Sequence, residues 1–187
     1  MQVKKIHIIG SVGSGKTTLA KKLSKDFNIP HYELDNVVWK RFQTGDIRRS
    51  EKERDAFLRN IINSGAWINE GVHYQWVTES FVNAELIIFL DTRFSKRTYR
   101  IIKRYFFQQL GLEKSNYKST FSMFMRMFRW NTYFEKVSKR EIIQLLKEFD
   151  DKVIIIRDNN ELETYLRQME DGEKYGGIVE IGVEEKL

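Results

Sequence analysis

The feature that most constrains this chain is a change of pattern near its start. Val3-Lys4-Lys5-Ile6-His7-Ile8-Ile9 is an apolar, β-branched run, which predicts a buried strand. Thr18-Leu19-Ala20-Lys21-Lys22-Leu23 then takes up helical spacing. Between them lies Gly10-Ser11-Val12-Gly13-Ser14-Gly15-Lys16-Thr17, which satisfies G-x-x-x-x-G-K-[ST] at every fixed position. A glycine-rich turn that binds nothing is the bland alternative, but the flanking strand and helix supply the context that phosphate binding needs. Gly10, Gly13 and Gly15 let backbone N–H groups turn inward around phosphate oxygens. The start of the helix adds partial positive charge at the same point. The cradle therefore runs from Gly10 through Ser11, Val12, Gly13, Ser14 and Gly15 to Lys16, Thr17 and Thr18. Lys16 can reach the β- and γ-phosphates of a nucleotide, and the Thr17 hydroxyl can ligate Mg²⁺.

The rest of the chain repeats the alternation of strand and helix. His31-Tyr32-Glu33-Leu34, Ala66-Trp67-Ile68-Asn69, Ala84 to Asp91 and Val153-Ile154-Ile155-Ile156 read as further short strands. Ser50-Glu51-Lys52-Glu53 has the form of a capping box opening a helix, with Phe57, Leu58, Ile61 and Ile62 as its apolar stripe. Residues 42–49 read as a loop. A helix from about Ser95 to Leu110, a long helix or two over 121–149, and a closing helix from Asn159 to Met169 complete the count. Five strands alternating with helices predict an α/β protein: a parallel sheet covered on both faces, joined by right-handed crossovers. A length of 187 residues suggests one domain, taken here as 1–170. The polar loop at 111–120, joined to arginine-bearing helices, predicts a lid insertion over about 112–130. Residues 171–187 are expected to be a flexible or weakly attached tail.

Strand ends carry the candidate chemistry. Ligands of open α/β sheets bind at the C-terminal ends of the strands. Asp35 lies at one such end and either faces a substrate or caps the turn Asn36-Val37-Val38-Trp39. Glu70 ends another strand, where Mg²⁺ or its waters are usually held beside such a loop; the alternative is a surface acid at a turn. Arg100 and Arg104 share one helical face, and Arg97 can join them. His7, His31 and His73 have no ligand-like spacing and read as structural or surface residues.

Charge is unevenly placed. Residues 93–140 hold thirteen Lys/Arg and two Asp/Glu, a balance of +11, while the net charge of the whole chain is only +6. Such a segment needs an anionic partner or a solvated face. Its aromatics, Tyr99, Tyr105, Phe106, Phe107, Trp130 and Tyr133, fit core packing of two helices better than base stacking, because apolar stripes at helical spacing usually face a core. With no cysteine, disulfides and thiolate metal sites are excluded, which fits a cytoplasmic setting. No apolar run approaches ~20 residues, so no membrane span is expected; with the N-terminus leading straight into the first strand, no signal peptide is expected either.

The residues quoted so far resemble the adenylate-kinase-like P-loop kinases. They resemble most the branch known as DNA topology modulation proteins, the FlaR-like kinases. The resemblance is carried by the loop at 10–17, Leu34-Asp35 followed by Trp39, Trp67-Ile68-Asn69-Glu70-Gly71, Ile87 to Asp91, Arg100-Ile101-Ile102-Lys103-Arg104 and Arg140. It implies a three-layer P-loop NTPase fold with strand order 2-3-1-4-5 and a helical lid. It further implies that Arg100 lies against the donor base and phosphates, and that Arg104 neutralises the transferred phosphoryl group. Arg126, Arg129 or Arg140 would come in from the lid side, and Asp35 would sit near the acceptor. The chain departs from the pattern where Glu70-Gly71 replaces Asp-Gly and Val72-His73-Tyr74 replaces an aromatic-Pro-Arg run. Thr44-Gly45-Asp46 has the letters of an AMP-site motif.

The function expected is an ATP- or GTP-dependent, Mg²⁺-requiring phosphotransferase acting on a small-molecule acceptor such as a nucleotide. Lys16, Arg100, Arg104 and Arg140 would be its catalytic residues; Asp35, Arg126 and Arg129 would meet the substrate, and Thr17 and Glu70 the metal. A nucleic-acid-binding regulatory ATPase is the alternative. The expected assembly is a monomer or homodimer with no membrane partner.

Overall fold

The computed structural model describes residues 3–42, 44–112, 120–159, 161–162 and 179–180. The opening pattern folds as read: β1 spans Lys5–Gly10 and α1 spans Lys16–Phe27. Asn28 ends α1 at φ 55°, a left-handed conformation that asparagine tolerates at a helix end. β2 (His31–Glu33) runs directly into a short helix, α2 (Leu34–Val38). The stretch expected as a loop at 42–49 carries half of a two-stranded antiparallel ribbon, β3 (Trp39–Lys40) with β4 (Ile47–Arg48). The capping box forms at α3 (Glu51–Ile62): the Ser50 hydroxyl accepts from the Glu53 N–H, and the Glu53 carboxylate accepts from the Ser50 N–H at 3.0 Å. Leu58, Ile61 and Ile62 face inward as expected, whereas Phe57 stays at the surface beneath the Arg49 guanidinium, 4.8 Å from its ring centre.

β5 (Trp67–Gly71), α4 (Thr78–Asn83), β6 (Leu86–Leu90) and α5 (Phe94–Gln109) follow. The region read as one or two long helices is a relay. It runs through α6 (Phe121–Tyr133), a π-helical turn at Phe134–Ser138, α7 (Lys139–Leu146) and a 3₁₀ turn at Lys147–Lys152. β7 (Val153–Ile156) closes the core, and β8 (Val179–Glu180) lies beside it. Residues 113–119 of the expected lid, most of the helix expected from Asn159 to Met169 and most of the expected tail lie outside the described residues.

Among the described residues the main sheet runs β2-β5-β1-β6-β7-β8, with every pair parallel. Counting the five strands read from the sequence, the order is 2-3-1-4-5. The extra strand comes from the stretch expected as tail, where Val179 pairs with Ile154 and Glu180 with Ile155. Alternation along the strands sorts the core into two layers. Ile9, Trp67, Ile87, Phe89, Val153 and Ile155 meet α3, α4 and α7 on one face. Ile6, Ile8, Ile68, Ile88 and Ile154 meet α1 on the other. Each fully buried side chain of this size stabilises the fold by about 1.5–3 kcal/mol. No helix among the described residues is long and apolar enough to cross a membrane.

Candidate active site

Register brings the candidate residues to one edge. Glu70 is level with Ile8 of β1 and with Glu33, the last residue of β2; β5 ends one residue later at Gly71, paired with Ile9, and Leu34 opens α2 alongside. Gly71 is needed for that convergence: a Cβ there would meet Leu34 Cβ and Cδ1 at 2.9 Å. The close approach places Asp35 and Val72-His73 beside the start of the glycine-rich loop.

The loop itself is held from below and from α5. Gly13 (φ 73°) and Gly15 (φ 105°) take left-handed conformations that a side chain would strain. The Ser14 carbonyl accepts from Thr92 Oγ1 at 3.0 Å and from Arg100 Nη1 at 2.5 Å. Lys16 is buried and folds back to donate to the Ser11 carbonyl at 2.8 Å. Burial pushes its pKa down, and the nearby carboxylates of Glu70 and Asp35 work the other way. Thr17 Oγ1 donates to Glu70 Oε1 at 2.6 Å. Burial pushes the Glu70 carboxyl above its ordinary range, with Lys16 and the Thr17 bond partly opposing. Among the described residues, the buried hydroxyls of Ser11 and Ser14 lack a hydrogen-bond partner. Unsatisfied donors in a glycine cradle suit an oxygen-rich anion.

Asp35 does not cap α2. The N-cap position is Glu33, with no side-chain cap bond, and Asp35 occupies the first turn. Its carboxylate faces His73, Nε2 to Oδ1 3.3 Å, and that contact holds its pKa below the usual carboxylate range. His73, read from sequence as structural or surface, thus belongs to the same edge, its ring 5.2 Å from that of Trp76. Nothing in a lone histidine signalled this; the pairing arises only when β5 and β2 end side by side. His31 stays half-buried on β2. His7 is fully buried mid-strand, its Nδ1 2.8 Å from Ser80 Oγ, and burial lowers its pKa to about 3.

Arg97 departs from expectation. It does not share a solvent face with Arg100 and Arg104 but is completely buried. Its guanidinium donates to Asn131 Oδ1 at 2.7 Å, to the Thr92 carbonyl at 2.8 Å and to the Glu135 carboxylate. Thr92 therefore links the loop, through Arg97, to α6 and the π-helical turn. Lys139 adds a bond from α7 to Asp91 at 2.8 Å. Arg104 is half-buried; its charge and that of Arg97 both act on Lys16. It also lines a small cleft with Tyr105, Gln108, Met123 and Met127, between α5 and α6. Arg126, Arg129 and Arg140 are exposed, on α6 and α7. Asp46 of the Thr44-Gly45-Asp46 turn pairs with Arg41.

The structure thus brings Lys16, Thr17, Glu70, Asp35, Arg100 and Arg104 around one loop, while Arg126, Arg129 and Arg140 stand exposed on α6 and α7. No family model matches the chain. It is 30% identical over 107 residues to the uncharacterized protein YqaC of Bacillus subtilis, covering 54% of this chain and 59% of that protein. It is 37% identical over 57 residues to a shikimate kinase of Aquifex aeolicus, covering 30% of this chain and 34% of the kinase. It is 37% identical over 62 residues to an adenylate kinase of Wigglesworthia glossinidia brevipalpis, covering 31% and 30%. The chain thus spans from about a third to three-fifths of the length of these relatives. The relatives with a named activity are P-loop kinases. Among solved structures, a shikimate kinase from Bacteroides thetaiotaomicron superposes with a TM-score of 0.52 at 13% identity, over 91% of this chain and 98% of that one. That likeness, together with the sheet order and the loop, makes this a P-loop NTPase fold.

Proposed function

We propose that the chain is an ATP- or GTP-dependent phosphotransferase that works with Mg²⁺ on a small-molecule acceptor, in the manner of the adenylate-kinase-like and FlaR-like kinases. One observation carries the reading: the loop lysine, two carboxylates and two arginines converge on a single strand edge. Phosphoryl transfer asks for positioning and charge neutralisation rather than a covalent nucleophile, and this set can supply both.

In this reading the backbone from Gly10 to Thr18 cradles the donor phosphates. Lys16 leaves the Ser11 carbonyl for the β- and γ-oxygens. Thr17 Oγ1 and Glu70, already 2.6 Å apart, would hold the metal, which would supply positive charge beside the donor phosphates. Among the described residues no group of three His, Asp or Glu side chains could hold an ion unaided. Thr17 and Glu70 would therefore be joined by phosphate and water in holding Mg²⁺, which usually keeps such ligands. Arg100, already on the loop carbonyls, lies against the donor, and Arg104 meets the transferred group. Asp35, oriented by His73, faces the acceptor. Residues 112–130 act as a lid, with Arg126 and Arg129 meeting the substrate and Arg140 the reacting phosphates as the site closes.

The test is nucleotide binding and turnover. The wild-type chain should gain thermal stability with ATP and Mg²⁺, and Lys16→Ala should abolish turnover. A Lys16→Ala protein that turns over at the wild-type rate would sink the assignment.

A further inference from the structure

The core reading of the segment's aromatics holds for Tyr105, which stacks on Phe124 at 4.4 Å between the two helices. It fails for the others. Tyr99, Phe106, Phe107, Trp130 and Tyr133 all stand at the surface. Where α5 ends and α6 begins, Phe106 is 58%, Leu110 69%, Leu112 71% and Phe121 65% exposed. On α5 the spacing from Phe106 to Leu110 makes one stripe, with Lys103 in the same row. Ring contacts join the two helices into one surface: Phe106 meets Tyr105, Tyr105 meets Phe124, and Phe124 meets Phe121. Exposed apolar surface of this continuity marks a contact surface on a water-soluble domain.

We propose that this end of the hairpin docks on an anionic membrane surface, as a peripheral contact and not a span. Charge decides against a second copy of the chain. Of the two acids in residues 93–140, Glu135 is paired with Arg97 and Lys139, so the described hairpin presents cations almost alone. A symmetric contact through this face would bring like charges together. Composition decides against single-stranded nucleic acid. Leu110, Leu112 and Met125 have no π-face, and Phe106 meets Tyr105 at 67°, edge-on rather than as a stacking platform. Aromatic and aliphatic tips in one row with Lys103, whose ammonium lies 5.1 Å from the Phe107 ring centre, are instead the chemistry of an interfacial helix. The apolar groups enter the headgroup boundary, and each cation contributes about 1 kcal/mol against phosphatidylserine.

The experiment is co-sedimentation of the full chain with vesicles of phosphatidylcholine alone, and with roughly a third phosphatidylserine added. The wild type should pellet with the anionic vesicles, stay in solution with the neutral ones, and be released by salt. The double variant Phe106→Ser, Leu110→Ser should bind at least about tenfold more weakly, with an unchanged thermal shift on ATP. Should that variant not fold, Lys103→Glu and Leu110→Ser singly should each weaken binding. The proposal is overturned if the wild type ignores phosphatidylserine or if the variants pellet like the wild type. It is overturned equally if the same substitutions instead abolish binding to oligothymidylate, or a concentration-dependent dimer.

Discussion

Two regions of this molecule are rich in charge and treat it in opposite ways. At the start of α1 and the end of β5, Lys16 is 8% exposed and Glu70 5%, and each is tied to a named partner within 2.8 Å. On the outer faces of α5 and α6, Lys103, Arg126 and Arg129 stand in water. Where charge is enclosed, the local dielectric is low, so one group at a fixed distance matters by itself. Where charge is displayed, water and salt reduce each group to little, and only their sum acts on a partner. The joint between the regions is Arg97, sequestered inside the segment that otherwise displays its cations.

The largest effect should therefore come from that joint. Arg97→Met keeps most of the side-chain bulk but leaves the Asn131 and Thr92 oxygens without their donor and Glu135 without its partner. Breaking a buried charge network of this kind destabilises by about 3–5 kcal/mol. Lys103→Met, one and a half turns along the same helix, should stay within about 0.5 kcal/mol. Urea unfolding of both variants measures the contrast, and equal losses would erase it.

Next in size are the two arginines whose roles differ. Arg104→Ala should lower kcat on the order of 10²-fold with nucleotide affinity little changed, because its contact strengthens as charge spreads in the transition state. Arg100→Ala should mainly raise the KM for the nucleotide, since its guanidinium already rests on the Gly13 and Ser14 carbonyls of the donor loop. Steady-state kinetics separates them, with intrinsic ATP hydrolysis as the assay. Near-wild-type constants for both would return the pair to the displayed kind.

The enclosed region was far more legible in the sequence than the displayed one, and the reason is physical. The Gly10–Thr17 loop is written in local residues: glycines where φ is positive, and a lysine at the helix start. The core strands and the capping box at Ser50 follow from local pattern of the same sort, whereas the sheet order came with the kinase resemblance. The settings of Arg97 and His73 were not legible because they are made by residues far along the chain. Arg97 lies 34 positions from Asn131 and His73 lies 38 from Asp35. The aromatics of α5 and α6 misled differently. Helical spacing shows that residues share a face, but not whether another element covers it.

The smallest predicted effect tests the enclosed region by its cost. Burial raises the Glu70 pKa even with Lys16 and Thr17 beside it, so on balance the ionised carboxylate is unfavourable in the nucleotide-free protein. The folded state then holds its proton above the ordinary value of 4.5, where the unfolded chain has released it. Stability consequently falls as pH rises through the window that begins there, and stays reduced at neutral pH. Glu70→Gln is neutral throughout and keeps an oxygen for the Thr17 hydroxyl. Its Tm at neutral pH without Mg²⁺ should exceed that of the wild type by a few degrees, and the difference should vanish in acid. The same substitution removes a hard anionic ligand, so the additional thermal shift that Mg²⁺ gives with ATP should largely disappear. Thermal scans across pH, with and without Mg²⁺-ATP, read both arms. A Glu70→Gln protein less stable than the wild type at neutral pH would mean that the carboxylate serves structure, and the strand end would lose its claim to the metal.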